Sequence, residues 1–347
     1  MKVLVYADLQ ATEGHERLFS DPSMPLQRWR CQKFYSDIAR IARDYGCSAV
    51  WDAGDTTDDR TAIPIPTVDV ILSGIDLLPD SEANIKIVGN HEQFHRNARV
   101  HVGRLFAPKF QIVETIDAFV IGQTAVVAVG YPSNLENPDE QISSFISALR
   151  SDYKRVVLLG HFDCIGARYN SGQVLQGISR ETLAGADAVL LGHIHKAQTI
   201  GANIHYIGSP FQQDFGEAGE LKRVAILDLD TLSIEWVTMD GYPAYRVVSL
   251  QDFENVVSED TEDRFQVILT DHAESARFYA HPLSSRAKPV YAYSSVEPDK
   301  ASDDAEVQDW NLDTAIDRWI SSNPPQNRGI SLSASDMKDF GLALVDK

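Results

Sequence analysis

The sequence predicts an α/β fold in four layers, two facing β-sheets flanked by helices, followed by a small β-α-β capping module. Three observations lead there. Strand and helix patterns alternate from Met1 to about Asp240, the order expected of layered α/β architecture. Five apolar, strand-sized runs each end at an Asp, Asn or His, four of them through a glycine. The second half of the region also holds more strands than a simple doubly wound sheet, which calls for a second sheet.

The elements come in order. Lys2–Ala7 reads as a strand leading into Asp8-Leu9-Gln10. Trp29, Phe34, Ile38 and Ile41 recur near helical spacing and predict a helix over Arg28–Ala42. Ser48–Ala53 is a second strand, running into Gly54-Asp55-Thr56-Thr57-Asp58. Pro64 and Pro66 break the next segment, and Val68–Leu78 reads as a helix stopped by Pro79. Ile85–Val88 leads into Gly89-Asn90-His91-Glu92, and Phe119–Val129 reads as one strand. Ile142–Leu149 and Ser179–Leu183 are short helices. Arg155–Leu159 and Ala188–Leu191 are strands ending at Gly160-His161 and Gly192-His193-Ile194-His195. Ile204–Ile207, Arg223–Asp228 and Ser233–Thr238 complete the strands of a domain spanning 1–240.

After Gly241-Tyr242-Pro243 the character changes. Tyr245–Leu250, Phe265–Thr270 and Pro289–Ser295 read as strands and His272–Ala280 as a helix, a module over 241–297. Residues 298–347 read as an acidic linker and a short helix, Asp313–Ile320, whose Ile316, Trp319 and Ile320 stripe suits either the protein's own body or a partner.

Composition narrows the function. No apolar run approaches the roughly 20 residues of a membrane helix. Cys31, Cys47 and Cys164 form neither a disulfide framework nor a CxxC pair, so a reducing, cytoplasmic compartment is expected. The net charge of −19 argues against nonspecific polyanion binding over the whole surface. A site holding divalent cations reverses that sign locally.

Ligands gather beyond the carboxyl ends of strands in open α/β sheets. Five strands delivering Asp8, Asp55, Asn90, His161 and the His193/His195 pair to one edge would build one multi-ligand metal site. Carboxylates supply charge and imidazoles supply neutral nitrogen donors, a set suited to borderline divalent ions. The glycine before Asp55 lets its carboxylate turn toward the sheet edge. His193 and His195 can point the same way along a strand, or a tight loop can send them to different ions. Arg96, Arg99, Arg104 and Lys109 form a basic run after the third motif, and Arg168, Tyr169 and Lys196 sit in loops of the same edge. These are candidate phosphate or DNA contacts, with a solvated helix face as the alternative for the first group. Cys164 is expected to be buried.

In order, these residues resemble the calcineurin-like metallophosphoesterase superfamily, whose motifs are D-x-H, GD-x-x-D, GNH-D/E, GH and GH-x-H. Gly192-His193-Ile194-His195-Lys196, Tyr206-Ile207-Gly208-Ser209-Pro210 and Phe215-Gly216-Glu217 narrow the likeness to SbcD-type nuclease subunits, a form that phage-encoded recombination nucleases share. The resemblance implies one ion on Asp8, residue 10, Asp55 and His195, and another on Asp55, Asn90, His161 and His193. Mn2+ is the expected metal, with Mg2+ or Fe2+ as alternatives. It implies His91 beside the scissile phosphate, Asp58 as a supporting residue, and a DNA-gripping role for the module. It also implies DNA as substrate and an SbcC-type coiled-coil ATPase as partner, and it is compatible with a homodimer. Gln10 departs from the family's His and predicts a weaker first metal site; His15 is the lesser candidate to compensate. Two other readings stay open: a small-molecule phosphodiesterase or phosphatase, which suits the acidic surface, and a metal-binding scaffold with weakened catalysis.

Overall fold

Strand β1 (Lys2–Tyr6) divides its side chains between two apolar environments. Val3 and Val5 face the space between two sheets, whereas Leu4 and Tyr6 pack under helices. This period-two alternation sets the layering of the whole molecule. The computed structural model describes residues 1–95 and 100–292.

Along the chain, helix α1 (Leu26–Tyr45) leads to β2 (Cys47–Asp52), and α2 (Ile65–Ile75) to β3 (Ile85–Ile87) and β4 (Gln111–Val113). A hairpin, β5 (Ile116–Ile121) and β6 (Thr124–Val129), precedes α3 (Pro138–Asp152) and β7 (Arg155–His161). Next come α4 (Arg180–Leu183), β8 (Ala188–Gly192), β9 (Gln198–Ile200) and β10 (Ile204–Tyr206). The antiparallel pair β11 (Arg223–Asp228) and β12 (Ile234–Thr238) closes the series.

The strands form two six-stranded mixed sheets, in the orders β12-β11-β1-β2-β3-β4 and β5-β6-β7-β8-β10-β9. Between them lies a core of Val3, Val5, Trp51, Ile85, Ile87, Val126, Val157, Leu159 and Leu190, all fully buried. Phe34, Ile38 and Ile71 of α1 and α2 cover the outer face of the first sheet, and Ile142, Ile146 and Leu183 of α3 and α4 cover the second. The expected four layers are present. Burying each large aliphatic side chain contributes roughly 1.5–3 kcal/mol, so the double-sided core is the main source of cohesion.

Three expectations shift. Phe119–Val129 is the hairpin of β5 and β6, turned at Gly122 with φ 62°. Pro64 and Pro66 open α2, standing at its N-cap and within its first turn, where a missing N–H costs nothing. The segment after Gly241 gains a helix: β13 (Tyr245–Ser249), α5 (Leu250–Val256), β14 (Arg264–Leu269), α6 (His272–Ala280) and β15 (Ala287–Tyr291). Its three strands are parallel, and parallel neighbours require a crossover. The Ser249 hydroxyl caps α5 by accepting from Asp252 N.

This third sheet docks through Arg30, a fully buried arginine. Its Nη2 donates to Pro243 O at 2.7 Å, and its guanidinium lies over the Phe211 and Tyr245 rings. The expected acidic linker and Asp313–Ile320 helix lie outside the described residues. Among the described residues no helix is long and apolar enough to cross a membrane.

Candidate metal centre

Backbone strain marks one place in the molecule. Among the described residues, five that are not glycine have positive φ, and four of them are Asp8 (55°), Gln10 (53°), Asp55 (55°) and His193 (85°). Each such conformation costs roughly 1–3 kcal/mol and persists only when its surroundings over-determine it. Here the first two loops hold each other: Asp8 N donates to Gly54 O and Gln10 N to Asp55 O, both at 3.0 Å. Gly54 itself has φ 100°, and a Cβ there would stand 2.4 Å from His161 Nδ1. Only glycine fits.

The side chains converge. Ligand atoms of Asp55, His161 and His193 all lie within 4.8 Å of one another. Asn90 Oδ1 is 3.1 Å from His161 Nε2 and 2.8 Å from His193 Nδ1, and Asp55 Oδ2 is 3.2 Å from His161 Nε2. Both Asp8 carboxylate oxygens accept from His193 N, at 2.9 and 3.1 Å. Gln10 Nε2 donates to Asp55 Oδ2 at 3.3 Å.

His161 and His195 have their outer nitrogen held by an acceptor, and His193 has a carboxylate nearby without a hydrogen bond between them. His161 Nδ1 meets Ala53 O at 2.7 Å, His195 Nδ1 meets Glu217 Oε1 at 2.7 Å, and His193 Nε2 faces Asp163 Oδ1 at 3.3 Å. Outer acceptors of this kind fix the tautomer and leave the other nitrogen as a donor to a cation. Gln10 Oε1 is buried with no hydrogen-bond partner, an acceptor that a cation would satisfy. The donor set fits divalent metal.

Electrostatics agree. Burial raises the Asp8 carboxyl. Burial would raise Asp55 too, but the His161 imidazole overrides it and holds Asp55 well below the usual carboxylate range. Burial would lower His161, yet Asp55 pushes it up to about 9. Asp55 thus favours the protonated form of His161 in the metal-free protein, and a cation bound there would compete with that proton.

His91 stands apart. Its N–H donates to Asp55 Oδ1 at 2.8 Å, while its half-exposed ring places Nδ1 2.7 Å from Asp58 O and 3.5 Å from Asp58 Oδ1. The Asp58 hydrogen bond pushes its pKa up to about 9 against the opposing effect of burial. In the metal-free protein Asp58 and Asp55 thus favour the protonated ring.

Residues 1–197 match the family model described as calcineurin-like phosphoesterase. The chain belongs to this family. This phosphoesterase is also 22% identical over 282 residues to exonuclease subunit 1 of Enterobacteria phage T4, an alignment covering 78% of this chain and 80% of that protein. Over 90 residues it is 30% identical to the D subunit of the SbcCD nuclease of Escherichia coli K12, covering 24% of this chain and 22% of the relative.

Beneath the phosphoesterase's ligand loops lies a buried ionic network. Lys86 Nζ sits 2.8 Å from Asp52 Oδ2 and 2.7 Å from Glu92 Oε1, all three side chains fully enclosed. The carboxylates reach upward into the loops: Asp52 accepts from Gly54 N, and Glu92 from Thr56 N and Gly89 N. A second pair supports His195, where Lys222 Nζ meets Glu217 Oε2 at 2.7 Å. Sequence reasoning assigned no role to Lys86, Asp52 or Asp163, and Glu92 and Glu217 served only as parts of motifs. Charged residues inside apolar runs, Lys86 in β3 and Asp52 in β2, were the available signal.

The outer candidates divide. Arg168, Tyr169 and Lys196 are exposed, and Gln198 joins their loops by donating to Arg168 O and Lys196 O. Lys109 pairs with Asp80 at 2.5 Å, before the starts of β4 and β3 and so at the edge opposite the ligands. Arg104 is exposed in a 3-10 turn, and Arg96 and Arg99 lie outside the described residues. His15 is exposed, and Cys164 is fully buried.

Proposed function

We propose that this phosphoesterase is a DNA phosphodiesterase dependent on two divalent ions, with Mn2+ as the favoured metal. It would work as an exonuclease or endonuclease in DNA recombination or processing. The observation that carries the reading is the cluster at Asp55, where His161, His193 and Gln10 close on its carboxylate and Asn90 Oδ1 joins the two imidazoles. Asp8, Gln10, Asp55 and His195 would hold one ion; Asp55, Asn90, His161 and His193 would hold the other. When bound, such ions lower the pKa of water and neutralise charge on the phosphodiester.

The chain's own residues do the rest. Asp58 occupies His91 Nδ1, leaving Nε2 for the phosphate or the leaving oxygen. A protonated imidazole there can donate a hydrogen bond or the proton that a departing alkoxide needs. Arg168, Tyr169 and Lys196 would line the path of the nucleic acid, and the third sheet would cap it. The phage T4 and Escherichia coli relatives are named as exonuclease and nuclease subunits, which favours a nucleic-acid substrate. An SbcC-type coiled-coil ATPase is the partner class this reading carries.

The net charge of −19 favours a second reading, a phosphodiesterase of small molecules. One assay separates the two. Protein loaded with Mn2+ is expected to degrade linear DNA, with loss of activity in chelator. Turnover of bis-p-nitrophenyl phosphate and nucleotides with DNA left intact would favour the second reading. A pull-down of candidate ATPase with and without residues 309–347 tests the partner.

A further inference from the structure

A cleft of about 510 Å3 opens beside His193, between the loop after β6 and the loops after β7. Tyr131, Ser133, Asp139, Phe162, Asp163 and Ile178 are among its walls. Its size lies within the range of small-ligand sites. Two contacts join it to the metal centre: Asp163 Oδ1 lies 3.3 Å from His193 Nε2, and the Tyr131 ring centroid lies 5.5 Å from that of His193.

We infer that this cleft is a subsite for a nucleobase, carried by the nucleotide next to the phosphate at the metal centre. The inference rests on the nuclease reading and names what its substrate places there. Among the described residues no Lys or Arg lines the cleft, and two carboxylates do, so a second phosphate is repelled and a neutral group is admitted. Tyr131 supplies an aromatic wall, and every base has a π-face to stack on it. Phe162 and Ile178, both buried, make the floor apolar.

The cleft also offers a hydrogen-bond acceptor. Asp139 Oδ1 is occupied by Ser179 N at 2.9 Å and Thr182 Oγ1 at 2.6 Å. Asp163 Oδ1 is buried, and its approach to His193 does not satisfy it as a hydrogen bond. Base N–H groups are donors of the right kind.

The test measures binding of deoxycytidine 5′-monophosphate by calorimetry to the full chain, with ribose 5-phosphate as the probe lacking a base. Tyr131→Ala is expected to weaken the nucleotide by at least about fivefold, the lower end for loss of one base–aromatic stack. Ribose 5-phosphate should be unaffected, and Tyr131→Phe should bind like the parent. If Tyr131→Ala does not fold, Tyr131→Leu removes the π-face while keeping the bulk. No saturable nucleotide binding by the parent overturns the inference. So does equal binding by the aliphatic variant, or an equal loss for ribose 5-phosphate. Degradation of linear DNA by the Mn2+-loaded parent is measured in parallel: its absence sinks the nuclease reading, while the binding comparison still judges the cleft.

Discussion

Gln10 and His91 separate what a residue type can do from what its placement makes it do. Gln10 is a neutral donor weaker than the histidine of the family motif, yet its Oε1 is buried and unpartnered among the ligands. That placement supports a retained, weaker first site. Titration of Mn2+ into the protein should show two unequal phases, and Gln10→His should draw them together; two equal sites in the parent would refute the idea. His91 contacts Asp55 and Asp58 without joining the ligand cluster. His91→Ala is expected to keep its metal content by elemental analysis while turnover falls about 10²–10⁴-fold, the usual contribution of a positioned proton donor. Full activity in that variant would remove His91 from the chemistry. Both residues were legible in the sequence because their motifs are local. Their hydrogen-bond partners were not.

At the scale of elements, β2 and β3 each carry a charge where a parallel strand normally carries only apolar residues. Lys86 is enclosed between Asp52 and Glu92, so its removal leaves two buried carboxylates without a counter-charge. Lys86→Met should therefore cost about 3–5 kcal/mol. Thermal unfolding of the metal-free protein should fall by roughly 6–20 °C, taking about 2–4 °C per kcal/mol for a chain of this size. A loss below about 2 °C would show that the network does not support the loops. Strand positions were readable because apolar runs ended at glycine. The hairpin at Gly122 was not, because β5 and β6 are apolar on both sides of the turn. Helix α5 was missed as well: of its seven residues, Leu250 and Phe253 are the buried ones, too few to announce a period.

Across the whole molecule, the long loop between β1 and α1 joins the metal centre to the third sheet. It carries Gln10 at one end, while at the other Phe19 lies under the guanidinium groups of Arg264 and Arg286. Glu262 accepts from Phe19 N and Ser20 N, each at 2.7 Å. Burial opposes the charge, but these bonds and Arg264 hold the Glu262 carboxyl below the usual glutamate value of 4.5. A depressed folded value contributes stability that is present above the unfolded pKa and lost as pH falls through the folded one. Stability measured in denaturant should therefore drop more steeply below about pH 4.5 in the parent than in Glu262→Gln. Parallel slopes would show that this anchor carries no weight. Glu262→Gln changes the net charge of −19 by one unit only, so the remaining surface charge is common to both proteins.

By itself the sequence determined the candidate ligands, their order and the strand ends that present them, because each motif couples an apolar run to a polar residue within a few positions. Fold class came with them, since strand count and alternation are local properties too. The tertiary structure alone decided which nitrogen of each histidine turns inward, which buried cation neutralises which carboxylates, and where Tyr131 and Asp163 open a cleft beside His193. Those depend on contacts between segments far apart in the chain, set by sheet order and strand pairing, and no short-range pattern encodes them.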